Sequence, residues 1–157
     1  MFFRPDFITS NRIDDLFRGL SRNPMKEKTP HLVDSVRNLL VGDPDDREVR
    51  LDLFSLNIQR ARDHGLASYN DCRVYYGLSR VNTFEEINPD PEIARRLRLA
   101  YQTPDNVELF VGIIAEVPVS GGVVGDLGAI IIGQAFRNLR DGDRYWYESA
   151  YPPSVRN

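Results

Sequence analysis

The sequence predicts an all-α domain, and three observations carry that prediction. Apolar residues recur at helical spacing along most of the chain. Asp, Asn, Pro and Gly stand where helices characteristically start and stop. No two stretches show the paired alternation of apolar and polar residues that a β-hairpin requires. At 157 residues the chain is long enough to enclose one real core.

Taken in order, an extended lead-in over about residues 1–10 is followed by a helix that Ser10 or Asn11 can cap. Its apolar face is Ile13, Leu16, Phe17 and Leu20, and Asn23-Pro24 stops it. A second helix is expected from about Pro30 to Val41, with Leu32, Val36, Leu39 and Leu40 in register. Residues 42–46, GDPDD, have loop composition. A third helix runs from about Val49 to Asp63 and stops at Gly65, the residue type that most readily adopts the left-handed conformation of a helix terminus. A fourth covers about 68–76, and 79–89 reads as a loop with one short helical turn at Phe84 to Ile87. Asp90-Pro91-Glu92 opens a fifth helix with a cap, a proline at the first position and an acid in the first turn. Pro104-Asp105 starts a sixth, and the break from Pro118 to Gly122 separates it from a last helix over about 125–140. That helix is apolar nearly all round, so burial is expected for it. The aromatic run Tyr145, Trp146, Tyr147 is read as core, with Arg144 anchoring the preceding turn to it. The tail over about 150–157 contains prolines and is read as loose.

Composition excludes several classes. The chain is 41% hydrophobic and 27% charged, which places it with globular proteins and not with disordered ones. With 20 basic and 23 acidic residues spread along it, net charge −3, it offers no basic patch for nucleic acid or an anionic membrane. Arg4, Pro5 and Asp6 interrupt the run that a signal peptide needs, and GAIIIG at 128–133 is far too short for a membrane segment. Cys72 is the single cysteine and can close no disulfide within the chain. His31 and His64 are too far apart for metal-ligand spacing, so no metal site is expected here. The glycines between Gly121 and Gly128 do not match a phosphate-binding fingerprint. Arg62-Asp63 and the DGDR turn read as short-range ion pairs and turn-capping carboxylates.

The third helix is arranged differently from the others. Helical spacing from Leu53 puts Leu53, Leu56, Asn57 and Arg60 on one face, with His64 one turn further on. Phe54, Ile58 and Ala61 form a second apolar stripe, so burial on two sides is expected. Asn and Arg are costly to bury without partners. Spacing leaves two readings open. Asn57 bonds a neighbouring helix and Arg60 pairs with a carboxylate, or the face meets a flat cofactor with acidic substituents, for which a haem is suitable.

The stretch LNIQRARDHGLASYN at 56–70 resembles the NIQR-x-RDHG-x-P-x-YN segment of the animal-type haem peroxidases, the myeloperoxidase, lactoperoxidase and cyclooxygenase superfamily. IDDLFRGL, QTPDNVELFVGIIAE and FRNLRDGDRYWYE resemble further landmarks of that family's C-terminal portion, in the family's order, so the resemblance covers nearly the whole chain. It implies a mostly helical fold and a cofactor that is haem b or a modified haem. It also implies reduction of hydrogen peroxide with oxidation of a small donor such as a halide, thiocyanate or an aromatic. By motif, Asn57 matches the asparagine that orients the proximal histidine, Arg60 the arginine at a haem propionate, and Leu53 and Leu56 leucines packed on the proximal side.

The family's proximal and distal histidines, catalytic arginine and ester-forming acids lie upstream of the matched part. The resemblance therefore implies that residues 1–157 are a partial domain, with no catalytic residue and no iron ligand, inactive alone. Its partner would be the missing N-terminal part of the same catalytic domain. His64 belongs to the RDHG turn and is not the iron ligand. Ala67 stands where the family usually has Pro and Cys72 where it has an aromatic, which leaves the substrate class open. Family analogy implies a secreted or extracellular protein. The alternative is a stand-alone helical binding or scaffold domain, derived from a peroxidase and without haem or activity.

Overall fold

The computed structural model describes residues 13–26, 28–33, 36 and 52–150. Among them the helices are α1 (Ile13–Arg22), α2 (Leu53–Asp63), α3 (Tyr69–Tyr75), α4 (Pro91–Tyr101), α5 (Leu109–Ala115), α6 (Asp126–Gly142) and α7 (Tyr147–Ala150), with a 3-10 turn at Pro104–Asn106. The described residues contain no sheet. A single antiparallel bridge joins Ser68 to Glu108.

The helix starts follow local rules. Asp52 accepts from the Phe54 amide at 2.9 Å, Ser68 from the Asp71 amide at 3.2 Å, and Asp90 from the Glu92 and Ile93 amides at 2.8 and 3.2 Å. The core gathers Tyr69, Val81, Phe84, Ile87, Ala94, Leu97, Val107, Ala115 and Leu127, drawn from α3, α4, α5, the start of α6 and the loops between them. Burying a side chain such as Leu127, which is fully enclosed, stabilises by about 1.5–3 kcal/mol.

Two polar devices hold this core together. Asn70 is buried, donates to the Val81 carbonyl and the Asp105 carboxylate, and accepts from the Val81 amide, all at 2.7–3.0 Å. It thereby staples the non-helical 77–90 segment and the 3-10 turn to α3. Glu116, 5% exposed, accepts from the Tyr69 hydroxyl at 2.9 Å and from the Leu127 and Gly128 amides at 3.2 and 3.3 Å. Arg73 lies 3.5 Å from the same carboxylate. A buried anion is tolerable there because the first turn of α6 presents free amides and positive dipole. Gly112 and Gly125 leave room for it: a Cβ on either would sit 2.2 Å from the Tyr69 ring or from Glu116.

Several expectations are corrected. Residues 31–33 are not helical, and the Thr29 hydroxyl accepts from the His31 amide; Val36 is helical and its amide bonds the Val33 carbonyl. Lys28 donates to the Ile113 and Glu116 carbonyls at 2.9 Å each, capping the end of α5 and holding this segment to it. The expected sixth helix is split after Asn106, because the Val107 carbonyl accepts from the Tyr69 amide and Glu108 bridges to Ser68. Only the first turn of α6 is buried; Phe136 and Leu139 are 68% and 67% exposed. Tyr145 and Tyr147 are likewise exposed, and Arg144 lies over the Tyr145 ring instead of reaching the core. The expected lead-in over 1–10, the Ser10 or Asn11 cap, residues 37–41 of the second helix, the 42–46 loop, the Val49 helix start and the tail after 150 lie outside the described residues.

Candidate functional site

The site is built on α2. Asp52 opens the helix by also accepting from the Ser55 hydroxyl at 3.1 Å. Its end is a Schellman motif: the Leu66 amide bonds the Ala61 carbonyl, the Gly65 amide bonds the Arg62 carbonyl, and Gly65 takes φ of 62°. The His-Gly of the motif therefore ends the helix, with His64 as its exposed C-terminal cap.

One side of α2 is packed. Phe54 meets Phe110 of α5 edge to face with centroids 5.3 Å apart, and Ala61 is buried. Phe54 and Ile58 also line a cavity of about 280 Å³ shared with Leu97, Val111 and Ile114, where His31 sits at the rim.

The other side is more open among the described residues. Leu53 and Asn57 are half-buried, Leu56 is 41% exposed and Arg60 is exposed. Among the described residues, neither Asn57 nor Arg60 has a side-chain hydrogen bond or ion pair. The expected burial on both sides is thus met on one side only. The helix carries two apolar stripes, and α5 covers the one that contains Phe54 and Ala61. The four predicted residues share a face about 10 Å long, at 1.5 Å per residue. Two apolar side chains, an amide and a guanidinium on one more open face suit a planar group with an anionic edge, so the residues present fit a haem.

The motif's second half does other work. Tyr69 and Asn70, not singled out as site residues, are the core staples described above; their signal in the sequence was only their place in the YN of the motif. Arg62 makes no short-range pair. Its Nε donates to Glu108 Oε1 at 2.5 Å, 46 residues away, while the Tyr101 hydroxyl donates to Glu108 Oε2 at 2.6 Å. The carboxylate raises the Arg62 guanidinium further, and burial followed by Glu108 pushes the Tyr101 phenol above its ordinary value. Asp63 accepts from Gln59 within the helix at 2.7 Å. No three His, Cys, Asp or Glu residues among those described could hold a metal ion. Cys72 is half-buried against the core, where burial raises its thiol.

Comparison with known proteins bears on the family and the fold. The chain is 40% identical over 151 residues to a peroxidasin homolog of Caenorhabditis briggsae, covering 94% of this chain and 12% of that protein. It is 40% identical over 147 residues to mouse myeloperoxidase, covering 90% of this chain and 20% of that one. Among solved structures, Peroxidase A from Dictyostelium discoideum superposes with a TM-score of 0.82 at 39% identity, over 93% of this chain and 28% of that chain. The chain thus spans between about an eighth and a little over a quarter of the relatives it matches. The family model described as animal haem peroxidase matches residues 1–156, and the chain belongs to that family.

Proposed function

We propose that this chain forms the proximal wall of a haem site in a peroxidase. Asn57 accepts a hydrogen bond from an iron-ligating histidine, Arg60 meets a haem propionate, and Leu53 and Leu56 pack on the ring. The observation that carries this reading is the more open α2 face, on which an amide and a guanidinium stand without partners among the described residues. Such groups cost free energy when covered unless the covering group pairs with them, and a histidine with an N–H and an anionic haem edge would do so. The histidine belongs to another part of the same catalytic domain, which is this chain's partner.

The haem, as haem b or a modified form, would supply the redox chemistry by which hydrogen peroxide is reduced and a small donor oxidised. The contribution of this chain is to orient and to enclose. An amide oxygen fixes the ring plane of the histidine and raises its basicity; the guanidinium fixes the edge of the cofactor; the leucines exclude water from the ring face.

A haem titration followed by Soret absorbance tests the reading. The purified chain alone is expected to bind no haem stoichiometrically. Co-expressed with the complementary part of the domain, it should contribute to a site whose haem affinity falls about 10–100-fold in Asn57→Ala. Tight binding by the chain alone, abolished in His64→Ala, would overturn the assignment of roles.

A stand-alone helical scaffold is the second reading. It is favoured by a core in which no buried side-chain polar atom among the described residues lacks a partner. Failure of the co-expressed domain to take up haem would decide for it.

A further inference from the structure

Glu108 stands at the N-terminus of α5, 18% exposed, and divides its two oxygens between elements. Oε1 accepts from Arg62 on α2 and Oε2 from Tyr101 at the end of α4. Its own backbone is fixed by the bridge to Ser68 and by the Gly112 amide, which bonds its carbonyl at 2.9 Å.

We infer that Glu108 is a positioning residue for the proximal face, setting the roll of α2 through Arg62 and thereby the direction in which Asn57 and Arg60 project. The inference rests on the haem reading above.

The geometry argues for it as follows. α2 has two directional attachments to the 108–110 segment: the Phe54–Phe110 ring contact and the Arg62–Glu108 ion pair. They lie about 12 Å apart along the helix at 1.5 Å per residue. Asn57 and Arg60 fall between them. The buried Ala61 brings the helices close, but a methyl group sets no direction. With the ring contact alone, the C-terminal half of α2 is free to roll, and the open face lies a third of a turn or so from the packed one. A roll therefore translates directly into displacement of the Asn57 amide. Arg62 is 61% exposed, so solvent screens the pair and its contribution to stability is small. A Nε donor at 2.5 Å with a second oxygen held by a phenol is better suited to fixing orientation.

The test is resonance Raman spectroscopy of the ferrous, haem-loaded protein that contains this chain, reading the iron–histidine stretching band. That band reports the hydrogen bond to the ligating histidine, and thermal melts run in parallel. Asn57→Ala serves as the reference. Arg62→Gln and Glu108→Gln are expected to move or broaden the band in the direction of Asn57→Ala, by less. Arg62→Lys, which keeps a cation for Glu108, should restore most of it. Arg62→Gln, at an exposed position, should melt with the parent, so it carries the test even if Glu108→Gln folds poorly. A band unmoved in Arg62→Gln and Glu108→Gln while Asn57→Ala shifts it would overturn this inference alone. A band unmoved in Asn57→Ala would overturn the haem reading, and this inference with it.

Discussion

The Tyr69 hydroxyl is the residue-scale feature on which the core turns. It donates to Glu116 at the end of α5 and accepts from Arg73 of its own helix at 3.1 Å, so α3 and α5 meet through one oxygen. Tyr69→Phe should cost about 1–3 kcal/mol, the range for leaving a buried acceptor short of a donor. Glu116→Ala should cost about 3–5 kcal/mol, because Arg73 and two α6 amides lose their common acceptor. Urea denaturation of the two variants measures both. The sign of the pH effect follows from the phenol. Burial first, and the Glu116 charge and hydrogen bond next, hold it above its ordinary value of 10.0. The folded state therefore keeps this proton more tightly than the unfolded one. Its contribution is fully present below pH 10 and is lost as pH rises above it. Tyr69→Phe should accordingly lose less stability than the parent on going from neutral to strongly alkaline solution, read by circular dichroism; equal losses would refute this.

At the scale of elements, contrasting glycines report on packing. Gly112→Ala places a methyl 2.2 Å from the Tyr69 ring and must part α3 from α5, whereas Gly133 on α6 has open space around it. The first substitution should destabilise by about 1–3 kcal/mol through overpacking. The second should stabilise by about 0.5–1 kcal/mol through helix propensity. Melting temperatures that moved together would contradict this account. The same elements show what the sequence makes legible. The start of α4 was readable because Asp90, Pro91 and Glu92 act within one turn of each other. The face of α2 was readable because its register needs only spacing. The split between the 3-10 turn and α5 was not, since its cause is Tyr69, 38 residues before Val107. Neither was the Arg62–Glu108 pair, which no local pattern encodes. The apolar surface of α6 was read correctly as apolar and wrongly as buried, because periodicity says which face is apolar and not what covers it.

At the scale of the molecule, burial among the described residues is lopsided. The core lies between Ala61 and Leu127, while α1 has no buried residue and displays Phe17 and Leu20 at 64% and 66% exposure. The far half of α6 does the same with Phe136 and Leu139. Uncovered apolar surface on this scale favours association. The isolated chain should therefore self-associate in sedimentation velocity at micromolar concentration, and Phe136→Ser combined with Leu139→Gln should shift it toward monomer. A parent chain that sediments as a monomer would count against the reading of these faces as interfaces. No helix among the described residues is long and apolar enough to cross a membrane.

The connector from Gly65 to Ser68 bears on which sequence changes this fold tolerates. It lies between an α2 end tied down by Glu108 and an α3 start tied down by Tyr69 and Asn70. Each tie fixes a register, so the connector tolerates a change of residue type but not of length. One inserted or deleted residue would turn α3 by about 100° relative to α2 and disengage one set of ties or the other. Ala67 is exposed, so a change of residue type there leaves that spacing intact.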